Sequence, residues 1–372
     1  MKLLPVSFVA FLGATLTVQA ETPRVVADIA PVHSLVAQVM EGVGMPDLLM
    51  QPTASPHGYA LRPSEARALQ NANLVFWIGH ELTPQLEGVL ESLADEAHVV
   101  ELLNSADTVR HNYRTSEDFK ITSEEDHEHG HDDHDEHSDH DDHEDHDDHA
   151  DDDHAEHGHD DHENDGHAEH DDHGHEDEAK HEDHDDHAHE DHEGHDHDGT
   201  DVHAWLDPHN ARVWLSLIAD ELSEVDPANA ATYAKNAAAA QAELDALEEE
   251  IAAKLISVSD ADFVVFHDAY QYFETRFGLI ASGAIRVGDG SSASAARLRE
   301  ARNTLQENKV ECIFSEPQFP DSLVASVAEG LDIQTAELDP LGANQDVGAD
   351  LYNLVIGQMS DDFFSCLKHD DH

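Results

Sequence analysis

Basic residues are scarce: 18 Lys and Arg stand against 83 Asp and Glu in 372 residues, a formal net charge of −65. That imbalance argues against nucleic acid and anionic membrane surfaces as partners, and it suits the attraction of cations. Cysteine is almost absent. Cys312 and Cys366 are the only two, and no CxxC pair exists, so thiolate zinc clusters and dithiol redox motifs are ruled out. After the first 20 residues no run is long and apolar enough to span a membrane. One long stretch, Glu124 to Asp198, lacks aromatics and any aliphatic residue larger than Ala. Such a segment cannot bury enough apolar area to offset its ordering entropy, so it is expected to be disordered.

What that stretch does contain is distinctive. Of its 75 residues 24 are His and 38 are Asp or Glu, with Lys180 as the single basic residue. Units such as Asp132-Asp133-His134 and Asp171-Asp172-His173 recur without a fixed period. A solvated spacer needs charge but not one His in three, whereas imidazole with nearby carboxylates suits zinc, copper or nickel. Metal handling is therefore expected of it. His127-Glu128-His129-Gly130-His131 matches a zinc-protease pattern, but chance explains the match in this composition, and the pattern requires a packed helix.

Met1 to Ala20 reads as a secretory leader: Lys2 starts it, Val6 to Val18 is its apolar run, and Val18-Gln19-Ala20 is a small-residue cleavage site. No Cys follows that site, so a soluble, exported mature chain is expected, periplasmic in a Gram-negative cell. In an oxidising compartment an even pair suggests a disulfide between Cys312 and Cys366, with two buried free thiols as the alternative. Leader and acidic stretch removed, about 280 residues remain, enough for two domains of ordinary size.

The ordered parts alternate strand and helix patterns, the α/β signature. Leu74-Val75-Phe76-Trp77-Ile78 and Phe263-Val264-Val265-Phe266 are continuous apolar runs of the kind buried on both faces of a parallel sheet. From Asp226-Pro227, read as an N-cap and an N1 proline, to Ile256 there is no Gly and no further Pro, and Leu244, Leu247, Ile251 and Leu255 keep a helical seam. The expected organisation is a leader (1–20), an N-terminal α/β lobe (21–225) containing the acidic stretch (124–198), a linking helix (226–256) and a C-terminal α/β lobe (257–372). Each lobe is expected to hold a mainly parallel four-stranded sheet flanked by helices.

Ten His lie outside the acidic stretch. Three of them, His57, His203 and His267, sit where a strand or loop gives way to a helix. Asp339 directly follows the strand pattern ending at Leu338. Ligands of open α/β sheets bind beyond the carboxyl ends of the strands. Three imidazoles and a carboxylate could close a four-coordinate zinc site. Asp268 is a candidate to orient His267 through its other ring nitrogen. His33, His80, His98 and His111 have no companion motif, and His209 begins a helix pattern.

Ser55-Pro56-His57-Gly58-Tyr59-Ala60-Leu61-Arg62-Pro63-Ser64 resembles the first ligand motif of the metal-binding receptors of bacterial ABC transporters. His203-Ala204-Trp205-Leu206 is similar to their second, Phe266-His267-Asp268-Ala269-Tyr270-Gln271-Tyr272-Phe273 to the third, and Leu338-Asp339-Pro340-Leu341-Gly342 to the fourth. The Cys positions and the placing of the His-rich stretch fit too, most closely those of the high-affinity zinc-uptake, ZnuA-type branch. The resemblance spans nearly all of the mature chain. It implies two lobes joined by one rigid helix, with Zn²⁺ in the cleft. His57 and His203 would come from the first lobe, His267 and Asp339 from the second. Manganese-selective relatives usually carry Glu where His267 stands, so this His favours zinc. Some zinc-binding relatives place Glu before the first His; Pro56 stands there here, which excludes that fourth ligand and leaves Asp339 or a water. The implied partner is an ABC-type permease in the inner membrane. Other periplasmic zinc donors are further candidates, and a monomer is expected. The rival reading is a secreted zinc-dependent hydrolase with a three-His site and water at the open position.

Overall fold

The computed structural model describes residues 22–115, 118–119, 199–286, 295–307 and 310–368. The expected leader, the His-rich stretch and its protease-like pattern lie outside them. Two parallel sheets form the framework. The first contains β1 (Val25–Ala27), β2 (Asp47–Leu48), β3 (Leu74–Trp77) and β4 (His98–Glu101), in the order β2-β1-β3-β4. The second contains β5 (Phe263–His267), β6 (Gly283–Arg286), β7 (Cys312–Ser315) and β8 (Gln334–Glu337), in the order β6-β5-β7-β8. Every pairing is parallel. Each half thus repeats one topology, with its first strand central and its second at an edge. Parallel neighbours need crossover connections, and helices supply them.

The central strands β1, β3 and β5 are buried along their whole length, as their apolar runs require, and the polar His267 comes only at the end of β5. Side chains alternate faces along a strand. Phe263 and Val265 of β5 therefore join the main core, while Val264 and Phe266 enter a second cluster with Ile285, Ile313, Val324 and Val327.

The helices are α1 (Ala30–Val39), α2 (Pro63–Gln70), α3 (Pro84–Leu93), α4 (Pro208–Val225), α5 (Ala230–Leu255), α6 (Gln271–Phe277), α7 (Ala295–Glu307), α8 (Ser322–Ala328) and α9 (Leu351–Leu367). Helix α5 is the long one, with 26 residues and a span of about 39 Å at 1.5 Å per residue. Its buried stripe of Tyr233, Ala237, Ala240, Leu244, Ile251 and Leu255 packs on α1 and α4 from the first half and on α9 from the second. It begins later than Asp226-Pro227 suggests. Asp226 instead ends α4, and its Oδ2 accepts from Asn229 Nδ2 (2.6 Å) and the Tyr233 hydroxyl (2.9 Å). The chain turns there before re-entering a helix.

Helices α1 and α9 hold the two halves together. Ser34 Oγ (2.7 Å) and Gln38 Nε2 (2.9 Å) both donate to the carbonyl of Ala349, and Tyr352 N donates to Ser34 Oγ (2.9 Å). Cys312 of β7 and Cys366 of α9 form a disulfide with Cα atoms 5.9 Å apart. Beside it Phe363 packs against Phe263, Phe273 and Phe314. No helix among the described residues is long and apolar enough to cross a membrane.

Candidate metal centre

His57 sits on a single 3-10 turn, Pro56–Gly58, after β2. Two residues on, Tyr59 fixes the segment: its hydroxyl donates to Glu65 Oε2, which also accepts from Arg62 N (2.6 Å), and lies 3.0 Å from Leu49 O. His203 precedes another 3-10 turn, Ala204–Leu206, that leads into α4. Its N–H donates to Asp201 Oδ1 (3.0 Å), and its Nδ1 lies 2.8 Å from the same oxygen. That contact commits Nδ1 to the carboxylate, so Nε2 is the nitrogen a metal would take. The segment is clamped to the C-terminal half: Trp205 Nε1 donates to Pro340 O (2.9 Å), Tyr352 Oη to Trp205 O (2.8 Å) and Tyr272 Oη to Asp201 O (2.8 Å). His267 is the last residue of β5 and emerges at that strand's carboxyl end.

These three imidazoles come together. Ring centroids are 5.5 Å apart for His57 and His203, 5.4 Å for His57 and His267, and 5.0 Å for His203 and His267. One nitrogen from each lies within 4.8 Å of the other two. A tetrahedral zinc ion with bonds of about 2.0 Å sets its ligand nitrogens roughly 3.3 Å apart, so small ring movements suffice to close on an ion. His203 and His267 are each only 2% exposed, which leaves them little solvation to lose to a metal. The rings line a cavity of about 20 Å³ with Trp205, Glu316 and Phe319, room for about one water or ion.

Asp339 is not in that group. Its Oδ1 accepts from Gly342 N (2.9 Å), Leu341 N (3.2 Å) and Gln318 Nε2 (3.3 Å), and its Oδ2 accepts from Asn344 N (3.2 Å). Gly342 makes the turn possible: its φ is +78°, and a Cβ there would meet Val355 Cγ2 at 2.9 Å. Asp268 does not serve His267 either. It pairs with Arg114, whose guanidinium also binds both oxygens of Glu274 (2.6 and 2.9 Å). Burial pushes the Asp268 carboxyl up despite the arginine.

A carboxylate close to His267 is one that sequence reasoning missed. Glu316 Oε1 lies 3.6 Å from His267 Nδ1, and the side chain is 3% exposed. Glu316 directly follows β7 and Asp339 stands two residues past β8, so the carboxyl-end rule that picked Asp339 also points to Glu316. Asp201 was missed as well, although it opens the second His motif. His80 was expected to stand alone, yet its ring nitrogen, Glu81 and Glu101 form a second group within 4.8 Å. His80 is exposed there, and exposed acidic groups are common without an ion. His209, at the start of α4, is met by Arg212 Nη2 at 2.9 Å.

The model of the ZnuA family, the periplasmic component A of the zinc-uptake complex, matches residues 25–363. The high-affinity zinc uptake system protein ZnuA of Paracoccus denitrificans is 43% identical over 358 residues, 96% of this chain and 95% of that protein. The protein of the same name from Brucella suis is 40% identical over 358 residues, again 96% and 95%. Among solved structures, a crystal structure of ZnuA is similar with a TM-score of 0.64 at 18% identity, covering 94% of this chain and 100% of that one. The periplasmic zinc binding protein TroA from Treponema pallidum gives 0.63 at 19% identity, covering 94% and 100%. These last two likenesses are of fold.

Proposed function

The chain belongs to the family of periplasmic zinc-uptake complex components, and we propose that it captures Zn²⁺ between its two sheets and hands it to an ABC-type permease in the inner membrane. The observation that carries this reading is the convergence of His57, His203 and His267 on one small cavity. Neutral imidazoles suit zinc, whereas manganese favours oxygen ligands. The three His serve as ligands. Asp339 completes the set if its carboxylate leaves the Leu341 and Gly342 N–H groups; while it stays there, water takes the fourth position. Binding weakens at low pH because protons compete for the same nitrogens. The His-rich stretch collects zinc weakly and at many points, raising its concentration beside the tight site. The exported chain works as a soluble monomer, and other periplasmic zinc donors load it.

The hydrolase reading finds no support: the family and the curated relatives are zinc-uptake proteins. Capture and release require no bond-making step, and zinc is cargo. Growth under zinc starvation tests the proposal, using cells that lack their own receptor but keep a compatible permease. The full chain is expected to restore growth, and the chain with His57, His203 and His267 all changed to Ala is not. Equal rescue by both would overturn the reading.

A further inference from the structure

We propose that Glu316 is the positioning residue for His267: its carboxylate holds the imidazole by Nδ1–H and so presents Nε2 to the metal. This rests on the reading of His267 as a zinc ligand. Glu316 stands at the carboxyl end of β7, and β7 is the parallel neighbour of β5, whose last residue is His267. Both side chains line the same cavity. Glu316 Oε1 is buried and makes no hydrogen bond. A buried carboxylate oxygen in that state is costly, and buried polar atoms of this kind ask for an explanation. Tyr270, fully buried, faces the same carboxylate; burial first and then Glu316 push its hydroxyl well above the ordinary tyrosine range.

The partner that Oε1 lacks is at hand. His267 Nδ1 lies 3.6 Å away, beyond a hydrogen bond, and a movement of roughly 0.6 Å brings it to about 3.0 Å. An ion on Nε2 supplies the reason to move. It fixes the tautomer with the proton on Nδ1 and withdraws electron density from the ring, which makes that N–H a stronger donor. Ligand imidazoles almost always donate their second N–H to a carboxylate, a carbonyl or water. The other buried imidazole of the site shows the finished form of this arrangement, with His203 Nδ1 at 2.8 Å from Asp201 Oδ1. Glu316 acts through His267 rather than on the ion, since it is not in the group whose ligand atoms lie within 4.8 Å of one another.

The test uses the full chain and its E316A, E316Q and H267A variants. Zinc retention is measured against a chelator strong enough to strip the His-rich stretch, and the metal-free proteins are melted in parallel. E316A is expected to bind zinc about 10–100-fold more weakly than wild type. E316Q, whose amide oxygen still accepts from Nδ1–H, is expected to recover part of that loss. Neither change should lower the metal-free melting temperature, because each relieves the burial of a carboxylate oxygen that has no hydrogen bond. A purely structural Glu316 would instead lower that temperature and leave the zinc affinity of the folded fraction alone. H267A separates the two readings: if it keeps wild-type affinity, the zinc-site reading fails. If H267A loses zinc while E316A stays within twofold of wild type, this inference is overturned. A further readout needs no variant. In zinc-loaded wild-type protein the His267 Nδ1 proton should be visible by NMR and protected from exchange, and its rapid exchange would contradict the proposal.

Discussion

Arg114 lies just before the His-rich stretch and is held by groups more than 150 residues away in sequence. Its Nε donates to Asp268 Oδ1 at 2.9 Å, Nη1 to Glu274 Oε2 at 2.6 Å and Nη2 to Glu274 Oε1 at 2.9 Å. All three side chains are at most 5% exposed. The guanidinium also lies over the Phe119 ring, 4.7 Å from its centroid. Arg114→Met keeps most of the volume and the apolar contact but leaves two carboxylates buried without their cation. Removing one partner of a buried ion pair costs about 3–5 kcal/mol, because the charge left behind is uncompensated. Replacing all the charged members is far milder. The chain carrying Arg114→Met, Asp268→Asn and Glu274→Gln together should therefore recover most of the loss. Urea unfolding of the metal-free proteins, followed by tryptophan fluorescence, gives both numbers. A loss below about 1 kcal/mol for Arg114→Met, or a triple variant no more stable than the single one, would refute the reasoning.

Three further outcomes are expected. Changing both Cys312 and Cys366 to Ala opens a crosslink across 54 residues, which loop entropy prices at about 4 kcal/mol in a denaturant titration; a loss under 1 kcal/mol would contradict this. His33 is buried, with Nε2 3.0 Å from Pro46 O, and burial lowers its pKa below 6.5. Its contribution to stability is thus present above pH 6.5 and is lost as the pH falls, so His33→Gln should flatten the acid side of the urea-midpoint profile relative to wild type. Deleting residues 124–198 should lower the total zinc bound per chain while leaving one tight site, because loop-closure entropy varies only slowly with length; loss of that site on isothermal titration would mean that the stretch supplies a ligand.

Much of the fold was legible because parallel strands buried on both faces leave unbroken apolar runs, as at Leu74–Trp77 and residues 263–266. The His set was legible because each member belongs to a local motif at a strand or loop end. The start of α5 was not. Asp226-Pro227 has the chemistry of a helix start, but the Asp226 carboxylate is taken by Asn229 and Tyr233. The supporting carboxylates were misjudged for a related reason. Asp268 adjoins His267 in sequence yet is claimed by Arg114, and Glu316 comes within 3.6 Å of His267 only because β7 pairs with β5. Pairings between distant segments leave no periodicity for a sequence reading to find.

The most direct test of the central claim is a zinc titration of the full chain and of its His57→Ala, His203→Ala and His267→Ala variants, in a chelator that suppresses weak sites. The account predicts one tight zinc ion per wild-type chain and none in any variant, with the metal-free folds intact by circular dichroism. A folded His267→Ala chain that still held one zinc ion at wild-type affinity would contradict it.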